Sequence, residues 1–239
     1  MRRCSKARLL RPGEAKLEAA NCTSALLNHA DLSGASLRGA TLRSAWLWHS
    51  KVDGADFRAA DLTGAIFHGV ALREAHLDRA CFRDSSLLKC DLEGVDLPNA
   101  DFTGAALHGS YLTGSRLRRV SFRRADLRDT GLADVDWEGA DLRDANLRGA
   151  SFHLGSTRSG LVGSTIPCEG SRTGFYTDDY CDQDFKPPEE IRKANLRFAD
   201  LRGAKIKGVD FYLVDLRGAR YTPKQEKHLR RCGAILGEG

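Results

Sequence analysis

The stretch ADFRAADLTGAIFHG, Ala55 to Gly69, places alanine at positions 55, 60 and 65 and a large apolar residue, Phe57, Leu62 and Phe67, two places after each alanine. A helix repeats its apolar residues at three and four and a strand repeats them at two, so a strict period of five belongs to neither. Followed outward, the small residue recurs at every multiple of five from Ala15 to Ala150, with Ser, Val, Cys or Thr as its only replacements. The large position keeps step from Leu17 to Phe152, giving 28 consecutive units in one phase.

Within a unit the small residue and the large one two places later share a side, as in a very short strand, and the other three residues must turn the chain. Two places after the large residue stands Gly in many units, among them Gly34, Gly64, Gly104 and Gly149. Glycine there suits a turn of positive φ such as type II. Each unit therefore reads as a short bridge followed by a corner.

ADLTG at 60–64, ADFTG at 100–104 and ADLRD at 140–144 resemble the A-(D/N)-L-x-x consensus of the pentapeptide-repeat proteins. The resemblance covers residues 15–152 and 194–221. It implies an all-β fold, a right-handed quadrilateral parallel β-helix with four units, hence twenty residues, per coil. Residues 15–152 would then make about seven coils. Stacked at the ~4.8 Å strand spacing, coils hydrogen-bond their bridges to those above and below. Small side chains fit near the corners and large ones fill the middle, with Cys22, Leu42, Leu62, Phe82, Phe102, Phe122 and Leu142 as one stack. Such an interior leaves no room for a cofactor.

After Phe152 the phase is lost, and it resumes at Ala194 with large residues Leu196, Leu201, Ile206, Phe211, Leu216 and Tyr221. Residues 153–193, mixing Gly, Ser, aromatics and acids, read as an insertion loop, and 194–221 as the final coils. In 222–239, Thr222, Pro223 and Gln225 form a capping-box pattern with Gly233 as a stop, which predicts a short helix. A helix there closes the exposed strand edges at that end. The basic segment 1–14 either caps the opposite end or stays in solution.

The 239-residue chain carries a formal charge of +5, but its ends hold the excess. Residues 15–152 have 17 Lys/Arg against 19 Asp/Glu, residues 153–193 five against seven, and residues 194–239 ten against five. No apolar run is long enough to cross a membrane, and the opening lacks a signal-peptide core. Seven cysteines with no CxxC pair read as reduced thiols in a cytoplasmic protein. Pairing of Cys168 with Cys181 is left open. No His/Cys cluster has metal spacing, and the acidic run from Asp178 to Asp184 has Tyr180 and Gln183 where a calcium loop needs an oxygen ligand and Gly, so no metal is expected.

Residues sharing a remainder modulo twenty lie above one another, which lets the outer faces be read. One face carries Leu26, Trp46, Trp48, Ile66, His68, Leu88 and His108, an apolar, aromatic patch of the kind that marks a contact surface. Its occupant is a protein partner, a second copy, or residues 153–193 or 1–14 folded back. A neighbouring face carries Arg43, Arg83, Arg123 and Arg143 in a column able to meet phosphates, although Asp61, Asp101 and Asp141 share it.

Convergent acid, base or nucleophile groups are missing at any recognisable spacing, so the reading is not an enzyme. The expected function is that of an interaction or scaffold protein engaging a protein partner through the aromatic face, the 153–193 loop, or both. The family resemblance implies an alternative, a DNA-mimicking protector of a type II topoisomerase (gyrase), which the near-neutral body disfavours. Weak nucleic-acid binding through the basic ends is a third.

Overall fold

A computed structural model of the chain describes residues 15–152 and 194–237. The opening segment 1–14 and the 153–193 insertion, with Cys168 and Cys181, lie outside the described residues. The described chain winds as a right-handed quadrilateral β-helix in which most units make one parallel bridge to the unit twenty residues on, as in Asn21↔Thr41 and Asp101↔Ser121. Leu37 N–H donates to the Asp56 carbonyl at 2.8 Å, Gly39 N–H to Arg58 at 2.8 Å, and Ala40 N–H closes the turn on Leu37 at 2.9 Å. This triplet of bonds is the local unit. Three-residue strands exist at two places, β1 (Ile66–His68) and β2 (Ser86–Leu88), paired in parallel register.

The five-residue period is burial made visible. Large residues on all four walls are sealed inside, with Leu27, Phe57, Phe67, Phe102 and Leu147 fully buried, and the alanines of the corners are nearly so. Phe82, Phe102 and Phe122 stack face to face along the axis at 4.8 and 5.3 Å, and Trp137 packs on Phe122 at 4.5 Å. Offset stacks at these distances add to the burial of the rings. Where Ser or Thr replaces the corner alanine, its hydroxyl is satisfied: Ser50, Ser85 and Thr130 donate to the carbonyls of Leu47, Phe82 and Leu127 at 2.6 to 2.7 Å. Ser115 Oγ accepts from the buried Trp137 indole at 3.1 Å. Cys22 and Cys90 are buried in core positions as expected, and desolvation pushes the Cys90 thiol up to about 12. Cys232 is disulfide-bonded, which corrects the expectation of reduced thiols at that residue.

The second residue of the consensus has a turn-capping function. Asp61 Oδ1 accepts from Thr63 N–H at 3.0 Å and Asp101 Oδ1 from Thr103 N–H at 2.9 Å, an Asx turn that satisfies an outward amide. Where arginine follows two residues later, it clasps the same carboxylate, as in Arg58–Asp56, Arg128–Asp126 and Arg217–Asp215 at 2.6 Å each. The hydrogen bond from the Arg58 side chain holds the Asp56 carboxyl down at about 2.

Across the insertion the ladder does not lose a wall. The separation between stacked residues rises from 20 to 59, with Asp136↔Asn195, Asp141↔Asp200, Asn146↔Lys205 and Ser151↔Asp210, so the chain resumes on the next face due after Phe152. At the far end α1 (Pro223–Arg231) forms with the expected capping box: Thr222 Oγ1 accepts from Gln225 N–H at 3.3 Å and Gln225 Oε1 from Thr222 N–H at 2.8 Å. Leu229 and Gln225 face inward, and after Gly233 the tail adds a bridge, Asp215↔Ile235, that the sequence reading did not foresee.

One corner departs from the pattern. From Leu17 to Leu216, every unit in the described residues has positive φ two places after its large residue, glycine or not, except at Glu74. There the ladder parts: no bridge joins Lys51 to Ala71 or His76 to Asp96 among the described residues. A cavity of about 200 Å³ opens between the separated coils, lined by Arg73, His76, Asp78, Gly94 and Asp96 among others. Core residues beside it, Leu77, Val95 and Leu97, are 3 to 6% exposed, against none for most of the core.

Three outcomes are expected. Excising residues 155–193, the 39 residues in excess of one coil, joins Leu154 to Ala194 in phase, and the product keeps a cooperative melt and a native β far-UV spectrum. Excising 36 residues instead shifts every later side chain to the wrong position and abolishes both. In native-state hydrogen exchange, the amides of Ala71, Leu77 and Asp96 exchange at least about tenfold faster than the bonded amides of Leu37 and Leu97; uniform protection contradicts the open seam.

The third concerns acid. A carboxyl depressed in the folded state stabilises fully above its unfolded value of 3.8 and loses that contribution as pH falls through about 2. Asp56→Asn keeps the turn acceptor but removes the charge, costing about 1 kcal/mol near neutrality after allowance for the solvent around Arg58. Denaturation at stepped pH should show the difference between variant and parent vanishing between about 4 and about 2.

Candidate functional site

The interior is filled by the buried residues of the walls, so the candidate site is a surface. The ladder Leu26↔Trp46↔Ile66, continued by β1 and β2 and then Ser86↔Ala106, places the residues before the large position in one column. Residues after it form a second column, with His68 paired to Leu88. Leu26, Trp46 and Trp48 are exposed by 65, 41 and 40%. Ile66, His68, Leu88 and His108 are half-buried.

Rings occupy the space between the columns. Trp46 stacks on Trp48 with centroids 5.9 Å apart, and Trp48 meets His68 edge-on at 5.6 Å. The backbone of Trp48 is pinned from the coil before, because its N–H donates to Asn28 Oδ1 at 3.1 Å. Two further imidazoles join: His29 stacks on His49 at 5.6 Å and His49 on His68 at 5.7 Å. Sequence reading passed over His29 and His49 because it considered only the two positions flanking each large residue. Both occupy the positive-φ corner, at 58 and 50°. Their shared remainder modulo twenty was the available signal. His108 lies at the patch edge and turns away, its Nδ1 set 3.3 Å from Asp129 Oδ2 and 3.2 Å from the Arg128 carbonyl.

The arginine column is aligned but largely neutralised. Arg43 reaches Asp61 on the next coil at 3.2 Å and Arg83 reaches Asp101 at 3.5 Å, because Thr41 and Cys81 in their own units supply no carboxylate. Arg143 clasps Asp141 at 2.5 Å with Asp200 4.0 Å away, leaving Arg123 as the member with no ion pair among the described residues. Desolvation works against the Asp61 carboxyl, yet hydrogen bonds from Thr63 and Arg43 hold it below its usual range, and Arg143 does the same for Asp141. Paired in this way, the column offers phosphate little field. Among the described residues no group of His, Cys, Asp or Glu has metal-binding geometry, and no helix is long and apolar enough to cross a membrane.

A search of curated proteins found no match. Among solved structures the chain is similar to QnrB1, a plasmid-mediated fluoroquinolone resistance protein, at 20% identity over 98% of this chain and 96% of that one, with a TM-score of 0.32. It is also similar to HetL, a pentapeptide repeat protein involved in heterocyst differentiation regulation from the cyanobacterium Nostoc sp. strain PCC 7120, at 25% identity over 92% and 87%, TM-score 0.28. A pentapeptide repeat protein from the Arabidopsis thaliana thylakoid lumen matches at 22% over 52% and 68%, TM-score 0.21. The family model described as pentapeptide repeats matches residues 15–51, 47–79, 80–119, 121–154 and 191–220, in eight copies. With its period, its Asx-capped corners and its four-walled core accounted for, the chain belongs to the pentapeptide-repeat family.

Proposed function

We propose that this chain is a non-enzymatic interaction protein that engages a protein partner through the wall carrying Leu26, Trp46, Trp48, Ile66, His68 and Leu88, with His108 at its rim. One observation carries the reading: exposed, mutually stacked rings occupy adjacent coils of a body that carries Asp–Arg pairs on its other walls. Exposed tryptophans are costly to leave in water, and aromatic side chains are the anchors on which interfaces concentrate their energy. The rings are held by the ladder beneath them, so little ordering is needed on binding. QnrB1 is a fluoroquinolone resistance protein. A surface mimicking DNA would need uncompensated carboxylates in rows, and here Asp56, Asp61, Asp101, Asp126 and Asp141 are each met by arginine.

The test is affinity capture with the full chain and with the Trp46→Ser, Trp48→Ser double variant, alongside light scattering and thermal melting. The variant should melt within a few degrees of the parent, because both rings lie outside the core, and should lose captured protein by about 2 kcal/mol or more, roughly thirtyfold in affinity. A variant with the same mass, melt and captured proteins as the parent would remove this wall from consideration. A fall from dimer to monomer would assign it to a second copy instead. A gyrase supercoiling assay with and without drug should show no effect of the chain.

A further inference from the structure

We propose that the closing end of the solenoid binds the phosphate backbone of nucleic acid, without base specificity, through Lys205, Lys207, Arg220, Lys224 and Lys227. This surface is separate from the aromatic columns and the proposal does not depend on them. Residues 194–237 contain ten Lys/Arg against four Asp/Glu, and the four acids are already engaged or buried. Asp200 is clasped by Arg202 and Asp215 by Arg217 at 2.6 Å each, and Glu226 by Arg230 at 2.8 Å. Asp210 is 5% exposed. The five named cations are exposed and make no ion pair among the described residues.

The tertiary structure collects them at one corner. Gln225 Nε2 donates to the carbonyls of Leu201 at 2.6 Å and Ala204 at 3.1 Å, which clamps the start of α1 onto the last wall. Lys224 precedes that clamp in the helix, while Lys205 and Lys207 follow Ala204 along the wall. Leu201 N–H donates to the Arg220 carbonyl at 2.8 Å, bringing Arg220 to the same coil edge. Lys227 lies three residues beyond Lys224 on the same side of the helix, away from the buried Gln225 and Leu229.

These cations spread around a corner and do not converge on a cavity, so a single small anion would meet only one or two of them. A polymer with about one charge per 1.7 Å of axis can meet them all and release a counterion at each. An anionic membrane is a poorer fit, because the apolar residue of α1, Leu229, is fully buried and leaves the basic side with nothing to embed. A second copy packed on this end would set like charges against each other.

The experiment is fluorescence anisotropy of the full chain with a labelled, short, mixed-sequence duplex in a KCl series. Five phosphate contacts give a slope of about −4.5 in log affinity against log salt, a loss of about five-hundredfold between about 50 and about 200 mM. The Lys224→Ala, Lys227→Ala variant, which keeps good helix formers at exposed positions, should bind more weakly with a slope shallower by about two. Arg43→Ala, Arg83→Ala, which removes arginines already paired, should leave the slope unchanged. Absence of salt-dependent binding, or an unchanged slope in the lysine variant, would overturn the proposal. Sedimentation with phosphatidylserine vesicles in the absence of DNA binding would overturn it equally and point to a membrane.

Discussion

The parallel ladder between successive coils is the constraint on which everything else depends. A residue can bond its counterpart only if the intervening chain closes one circuit, and in this fold a circuit is twenty residues. Each unit contributes few bonds of its own, so a coil is held chiefly by its two neighbours. The core obeys the same rule, since the Phe82, Phe102 and Phe122 rings can stack only because the ladder keeps them in line. Circuit length is thus conserved even where chain length is not: the separation across the insertion grows to 59, and the wall resumes on the face that was due.

A tube packed solid along its axis has no interior to offer a ligand, so recognition must use walls and ends. Most of the wall surface is self-satisfied. An aspartate before the large residue caps the turn through Oδ1 and holds an arginine through its carboxylate, which leaves the middle of the body near neutral. Two regions escape that pairing for different reasons. On the aromatic wall the paired positions are occupied by Leu26, Trp46, Trp48 and Ile66, which have no charge to cancel. At the closing end cations outnumber acids, and the acids present are engaged or buried.

The open seam at Glu74 shows what one corner does to a solenoid. Residues 71–74 have let go of the coil before them, and 75–78 of the coil after them, so the chain steps from one half of the stack to the other across this corner. Nothing in the five-residue pattern marks the place. Glu74 is neither larger nor more charged than Arg79 and Lys89, which adopt positive φ elsewhere.

By itself the sequence determined the period, the identity of the core and the order of the walls. A side chain every five residues either fits a sealed interior or does not, and modular arithmetic then assigns neighbours. The capping box of α1 was equally legible, because Thr222, Pro223 and Gln225 act within one turn. Only the tertiary structure decided which arginines are spoken for, that His29 and His49 extend the ring stack, that Ile235 adds a final bridge, and that Gln225 gathers lysines from two distant segments onto one corner. These depend on side-chain reach between coils and on where the helix lands. Both are set by distances across the stack, and spacing along the chain does not encode them.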